Sequence, residues 1–570
     1  MKNRWSLIQN ETQELVLQLA QSLGISQVLA KLLVTRQVTS FEEAKAFFRP
    51  SLSNLHDPFL MRDMDKAIAR IFKAIEAKQR ILVYGDYDVD GTTAVSLVYS
   101  FLLNHTKELD YYIPDRYAEG YGISFQGIDF AKANGFSLII ALDCGIKSLD
   151  KVDYASELGI DFIICDHHLP GEKLPKAVAV LDPKRNDCNY PYKELSGCGI
   201  GFKLIQAFSK QKQLSFDALE QYLDLTAIST ACDIVPITGE NRILTYFGLK
   251  QLNESPRAGI KAILELAAKT KEITVTDLVF IVGPRINAAG RIEHAKKAVE
   301  LLISNSPEIA VIAGKAISET NSERKELDKS ITEHALQLIE KSSNLQAKTT
   351  VLFHPEWHKG VIGIVASRLI ETHYRPTIVL TESNGKATGS ARSVKGFDIH
   401  EAIDACSDLL EQFGGHKYAA GLTLKLENIA AFQQKFETVV SQSIDDRLLV
   451  PEIEIDAEID FSEITDKFFR ILNQFAPFGP QNMKPVFLTK NVISAGYTKA
   501  VGQQNDHLKL DVCQVHDSAS RFSGIAFNLG HLANSFQEGK IFDITYSLEE
   551  NEWNGKTSIQ LKVVDLRVSR

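Results

Sequence analysis

Three aspartates at single-residue spacing end an apolar run in "ILVYGDYDVDGTTA", residues 81–94. An extended segment sends alternate side chains to one face, so Asp86, Asp88 and Asp90 project together. Carboxylates that close repel, and the cluster raises its own pKa values unless a cation or a set of good donors neutralises it. Taken alone, a D-x-D reads as an acidic turn after a strand. The chain adds Asp143 at the end of "FSLIIALD", Asp166, His167 and His168 at the end of "DFIICDHH", and Asp233 in "STACDIVP". Each of these by itself is a helix cap, a turn residue or a surface histidine. As a set converging on one edge they would repel severely, and a binuclear divalent-metal site is the better reading. Mixed carboxylate and imidazole ligands fit Mn²⁺ somewhat better than Mg²⁺. Two such ions about 3.5–4 Å apart serve phosphoryl chemistry, so hydrolysis of a phosphate ester or anhydride is implied.

Convergence is a demand on the elements that carry these residues. "RILVYGD" (80–86), "FSLIIALDCG" (136–145), "DFIICDHH" (161–168) and "AVAVLDP" (177–183) are short apolar runs, each reaching an Asp, and helical stretches separate the first three. That alternation predicts a parallel sheet whose strand ends share one edge, where open α/β sheets place their ligands. Residues 1–60 read as a helical lead and 61–305 as the first α/β domain. A long amphipathic helix connects over 306–345, its apolar stripe marked by Leu327, Ile331, Ala335, Leu338 and Ile339, with Ser322, Glu323, Arg324 and Lys325 in solvent. A second α/β pattern covers 346–450. Turn-punctuated β segments fill 451–570 and predict a small barrel or sandwich. Its aromatics, among them Phe475, Phe478, Phe487, Tyr497, Phe522 and Phe527, are expected in the core.

The 570 residues are 44% hydrophobic and 24% charged, an ordinary globular composition that excludes disorder as the theme. No stretch approaches a membrane span, and the opening "MKNRWSLIQNETQELVLQLAQ" is too polar for a signal peptide, so a cytoplasmic location is expected. Seven cysteines without C-x-x-C spacing read as reduced core thiols. A net charge of −9 argues against an all-over basic surface, yet leaves room for a local basic groove.

"DYDVDG", "LDCGI", "CDHH" and "CDIVP", in this order, resemble motifs I to IV of the DHH phosphoesterase superfamily. "LHDPFLMRDMDKA", "PDRYAEGYG", "GCGIGFKL", "GPRINAAGRI", "WHKGVIGIVASRL", "GSARS" and "FGGHKYAAG" extend the resemblance, over residues 45–425, to the RecJ family of bacterial single-strand-specific exonucleases. Residues 451–570 fit that family's OB-fold domain more loosely. The resemblance implies two α/β domains, DHH and DHHA1, joined by a long helix and followed by an OB-like β-barrel. It implies metal ligation by Asp88, Asp90, Asp143, His167 and Asp233, with Asp143 bridging two Mn²⁺ or Mg²⁺ ions, His168 on the scissile phosphate and Asp86 supporting the shell.

For the substrate, the resemblance implies phosphate contacts from Gly414, Gly415 and His416, with Arg116, Arg285, Asn287, Arg291, Lys359, Arg392 and Ser393 as further donors. Any one arginine has a second reading as a surface ion pair, and the glycines as a tight turn. Ala391 stands where the family more often uses a second glycine. The activity implied is processive 5′→3′ hydrolysis of single-stranded DNA to 5′-mononucleotides in repair and recombination. Single-strand-binding protein and a RecQ-type helicase are the family's expected partners, with a monomer as default. Two alternatives stand beside it: a DHH phosphoesterase for short oligonucleotides or cyclic dinucleotides, and a catalytically silent single-strand-binding scaffold.

Overall fold

The computed structural model describes residues 3–9, 13–341, 347–537 and 539–569. The chain divides into two compact units, Asn54–Pro451 on the one hand and Met1–Ser53 with Glu452–Arg570 on the other.

In the central unit, five parallel strands form the first sheet in the order Leu109–Tyr112, Arg80–Gly85, Phe136–Leu142, Asp161–Cys165, Ala179–Leu181. Helices cover both faces, so Leu82, Val83, Ile139, Ile140, Ile163 and Ile164 are all fully buried and the strands read as unbroken apolar runs. The edge strand Leu109–Tyr112 escapes a sequence reading because L-D-Y-Y carries no such run. With all strands parallel, Asp86, Asp143, Asp166 and Asp182 each follow the last residue of a strand along one edge. Helix Leu223–Cys232 delivers Asp233 at its C-terminal cap. The start of that helix is fixed by Arg257, whose Nε and Nη2 donate to the two oxygens of buried Asp224 at 2.5 and 2.7 Å.

Helix Pro307–Lys341 carries the expected stripe, with Ile331, Ala335 and Ile339 buried against helix Ile362–Thr372. The expectation that Arg324 is solvated is corrected: it is only 8% exposed. The helix here passes beneath Ile362–Thr372, and Arg368 from that helix grips fully buried Asp328 through Nε at 2.9 and 2.8 Å and Nη2 at 2.7 Å. The second sheet runs Gln412–His416, Ala419–Lys425, Lys386–Arg392, Thr377–Ser383, Thr350–Phe353, antiparallel except for its last pair.

In the other unit, strands Phe487–Val501, His507–Gln514, Asp517–Ala526, Lys556–Val568 and Phe542–Trp553 pair in that order, and the last returns to the first, closing a five-stranded barrel. The N-terminal lead belongs to this unit. Leu19, Leu29, Leu32 and Leu33 from helices Gln13–Leu23 and Gln27–Thr35 share one core with Phe469, Phe475 and Phe487. Strand Arg4–Leu7 pairs in parallel with Glu452–Ile455. Of the barrel aromatics, Phe475 and Phe487 are core as expected, whereas Tyr497 and Phe527 are 40% and 51% exposed. All seven cysteines are free thiols. Among the described residues no single helix is long and apolar enough to cross a membrane.

Candidate metal centre

The carboxylates of the first sheet edge meet around one imidazole. His167 Nε2 lies 3.2 Å from Asp143 Oδ1, 3.5 Å from Asp233 Oδ2 and 3.7 Å from Asp90 Oδ2. Two groups of ligand atoms, each within 4.8 Å of one another, share it: Asp143 with His167 and His168, and Asp90 with His167 and Asp233. Asp143 reaches in from a left-handed backbone, φ 60°, which is strained for an aspartate and marks a position fixed by its surroundings. Its N–H is satisfied by Cys165 O at 2.8 Å. Asp88 caps helix Val89–Leu102 through Gly91 N–H at 2.9 Å and lies in hydrogen-bond contact with Asp143.

Asp90 is held differently. Its Oδ2 accepts from Gly197 N–H at 2.6 Å, and its Oδ1 from Cys198 N–H at 2.7 Å and Ser229 Oγ at 2.6 Å. The "GCG" stretch is thus the N-terminus of helix Gly197–Gln211, whose free amides and dipole steady this carboxylate. Gly197 is required, because a Cβ there would stand 2.6 Å from Asp143 Cβ.

Burial, and after it the neighbouring carboxylates, raises Asp86, Asp88, Asp143 and Asp233 above the ordinary carboxylate range. Asp143 Oδ1 and both ring nitrogens of His167 are buried without a hydrogen-bond partner. Burying acceptors unpaired is costly. A divalent cation supplies what Asp143 Oδ1 and the unprotonated nitrogen of His167 lack, so the residues present fit a metal centre that Asp90, Asp143, His167 and Asp233 could hold, with Asp88 beside Asp143.

Asp166 stands apart from this group. Ile146 N–H at 2.9 Å, His167 N–H at 2.8 Å and His168 N–H at 3.1 Å converge on it, and His168 Nδ1 is 2.7 Å from its Oδ1. Burial works to raise its pKa, yet the hydrogen bond and charge of His168 bring it down to about 2. In return, and against burial, Asp166 raises the pKa of His168. A buried anion therefore favours the protonated form of the second histidine, whose Nε2 points away from Asp166.

Beside the acids stand arginines. The Arg116 guanidinium carbon lies 4.8 Å over the Tyr87 ring. Arg291 donates from Nη1 to Gly360 O at 2.9 Å, bridging the two sheet-bearing lobes of the central unit, and its own carbonyl accepts from Tyr117 Oη. Burial first, then the charges of Arg116, Arg324 and Arg392, lowers its pKa to about 10. Asn287, Arg291 and Arg324 line a cavity of about 190 Å³ next to Cys232. Such a concentration of guanidinium groups calls for an anion.

Not every residue singled out in the sequence joins this arrangement. Arg285 is turned to its own helix, donating to Ile281 O at 2.8 Å, and Lys359 is exposed. The Ser393 hydroxyl is committed to Phe397 O at 2.8 Å; Ser390 is the serine that meets Arg392, at 3.0 Å from Nη1. Ala391 is fully buried in the core of the second lobe, so its methyl leaves the opposite, Ser390–Arg392 face open. Gly414, Gly415 and His416 lie exposed on the edge strand, and His416 feels, after burial, the charges of Arg392 and, more weakly, His168. Gly415 has φ 147°, and a Cβ would stand 2.3 Å from Ala419 O. Gly415→Ala is expected to cost about 1–3 kcal/mol of local strain and to raise KM for a strand, read from the denaturation midpoint and steady-state kinetics. Ser390, Arg324 and Tyr121 were not singled out in the sequence reading, although "GSARS" carries Ser390, "PDRYAEGYG" carries Tyr121, and Arg324 is a cation at helical spacing from the apolar stripe.

Fold and centre together define a metal-dependent phosphoesterase of the DHH type. The DHH family, N-terminal domain, matches residues 80–230, the DHHA1 domain residues 345–442 and the RecJ OB domain residues 455–565. The chain is 37% identical over 574 residues to the single-stranded-DNA-specific exonuclease RecJ of Bacillus subtilis, covering 100% of this chain and 71% of that one. It is 33% identical to the Escherichia coli RecJ, covering 94% of each. The crystal structure of Thermus thermophilus RecJ in complex with Mn²⁺ superposes with a TM-score of 0.83 at 26% identity, over 100% of this chain and 80% of that one. The chain belongs to the RecJ family.

Proposed function

We propose that this chain is a single-strand-specific DNA exonuclease that works from the 5′ end, releases 5′-mononucleotides and uses two divalent ions, Mn²⁺ or Mg²⁺. The observation that carries the reading is the buried acid–imidazole centre with unpartnered ligand atoms set beside a cluster of arginines. Bound divalent ions supply a water of lowered pKa and neutralise charge on the phosphate. The chain's own groups do the rest. His168, held through Nδ1 by Asp166, which favours its protonated form, donates from Nε2 to a non-bridging phosphate oxygen. Arg116, Arg291 and Arg392 hold the backbone phosphates of the strand and fix its position. The hairpin of Gly414, Gly415 and His416 approaches from the second lobe, and a cleft so flanked favours one strand over a duplex.

The reading includes a cytoplasmic monomer acting in repair and recombination on strands exposed by a RecQ-type helicase and covered by single-strand-binding protein. The test uses purified protein, Mn²⁺ and a single-stranded oligonucleotide labelled at its 5′ or 3′ end in separate reactions. Immediate release of the 5′ label as mononucleotide, with progressive shortening of the 3′-labelled strand, is the expected result. Binding without cleavage would leave a scaffold, and cleavage confined to very short oligonucleotides or cyclic dinucleotides a small-substrate phosphoesterase.

A further inference from the structure

His168 has two ring nitrogens, and Nδ1 is spent on Asp166 at 2.7 Å. The other, Nε2, is the one the reaction needs, and it is not free: the Tyr121 hydroxyl stands 3.3 Å from it. Tyr121 is 56% exposed at the mouth of the centre, its ring edge-on to His168 at 6.2 Å and to Tyr87 at 6.1 Å.

The backbone on either side is anchored. Glu119 accepts from Tyr112 Oη at 3.0 Å, from Asp115 N–H at 2.8 Å and from Ser124 Oγ, while Tyr84 Oη donates to Gly122 O at 3.0 Å. Tyr121 is flanked by Gly120, φ 87°, whose N–H donates to Asp115 O at 3.2 Å, and by Gly122, φ 78°, whose carbonyl is the one Tyr84 holds. Both glycines hold left-handed conformations, and around Gly120 there is open space to 4 Å. With the backbone held on both sides, the exposed Tyr121 ring can still turn about its own side-chain bonds without moving the sheet beneath it.

We propose that Tyr121 is a displaceable latch on the phosphate-binding imidazole: in the substrate-free protein its hydroxyl occupies His168 Nε2, and the side chain rotates away when a phosphate oxygen takes its place. The hydroxyl keeps the imidazole oriented and excludes stray anions until a strand arrives. No bond is made or broken; one hydrogen-bond partner replaces another. The inference rests on the role given above to His168 in strand hydrolysis.

The test compares wild type with Tyr121→Phe, which keeps the ring and removes the competitor. KM for a single strand is expected to fall about two- to ten-fold, the weight of one net hydrogen bond, with kcat/KM rising accordingly. In protein labelled with 3-fluorotyrosine, the resonance absent from Tyr121→Phe should shift when thymidine 5′-monophosphate is added in Mg²⁺. A KM that rises in Tyr121→Phe makes the hydroxyl an ordinary substrate contact and overturns the latch, as does a Tyr121 resonance that ignores the nucleotide. If wild type cuts no single strand, the exonuclease reading fails by itself, and the fluorine resonance still decides whether the hydroxyl yields to phosphate.

Discussion

Asp143→Asn is expected to abolish strand cleavage, by about 10³-fold or more, and to make the metal-free protein more stable than wild type. The carboxylate sits in hydrogen-bond contact with Asp88, 3.2 Å from His167, and is fully buried with one oxygen unpartnered. Asparagine tolerates the left-handed backbone and fills the same volume, so the variant isolates the charge. The linkage has a definite sign. Burial and then the neighbouring acids raise the folded-state pKa of Asp86, Asp88, Asp143 and Asp233 above the unfolded value. At these four sites the folded protein therefore binds more protons than the unfolded chain, and their stabilisation is fully present below about pH 4, while buried His167, whose pKa is lowered, works the other way. The stabilisation from the four acids is lost as pH rises through their folded pKa values. Chelator-treated wild type should melt at progressively lower temperature from pH 5 to pH 8, Asp143→Asn less steeply. Added Mn²⁺ should raise the wild-type Tm most at the alkaline end, because binding requires the deprotonated ligands. A melting temperature that is flat or rising with pH in the metal-free wild type would contradict this account of the cluster.

The second large effect is structural. Lys203 is completely buried, with Nζ 2.5 Å from Glu240 Oε1 and 3.1 Å from His56 O. Glu240, equally buried, also accepts from His56 N–H at 2.9 Å and from Tyr190 Oη at 2.6 Å. The pair ties the segment that opens the central unit to helices Gly197–Gln211 and Gly239–Glu254. Lys203→Ala leaves a carboxylate uncompensated in the interior and is expected to cost about 3–5 kcal/mol. The unfolding midpoint in urea, followed through Trp357 of the same unit, reads the loss. Adding Glu240→Gln to the variant should recover part of it, since the amide oxygen still accepts while the unpaired charge is gone. Full stability in Lys203→Ala alone would mean that water or a rearranged side chain takes the place of the ammonium.

What the sequence made legible was whatever a local pattern encodes. Strands buried on both faces show as apolar runs, and a parallel sheet puts their ends together, so the convergence of Asp86, Asp143 and Asp166 followed from spacing and topology. The ligand roles of Asp88, Asp90, His167 and Asp233 needed the resemblance as well. What escaped was decided by partners distant in the chain. Arg324 looked solvated because helical periodicity cannot say that helix Ile362–Thr372 lies across it. Ser393 and Ser390 are equivalent in composition; strand register alone sends one hydroxyl to Phe397 and puts the other beside Arg392. Tyr121 stands inside the quoted "PDRYAEGYG" motif, but nothing there pairs it with His168, a relation that exists only once Gly120 and Gly122 have turned the chain. The sharing of one core by the N-terminal helices and the barrel is likewise invisible locally.

That shared core has a consequence for synthesis. Residues 1–53 leave the ribosome first, yet Leu29, Leu32 and Leu33 find their partners in Phe469, Phe475 and Phe487 only after the whole Asn54–Pro451 unit has been translated. At about 5–20 residues per second the wait is on the order of half a minute. During it the central unit can fold alone while the amphipathic lead stays unpaired, its leucines open to chaperones or to other nascent chains. The strand pairing of Arg4–Leu7 with Glu452–Ile455 can form only after that unit has been translated, and it closes a loop that spans the whole of it.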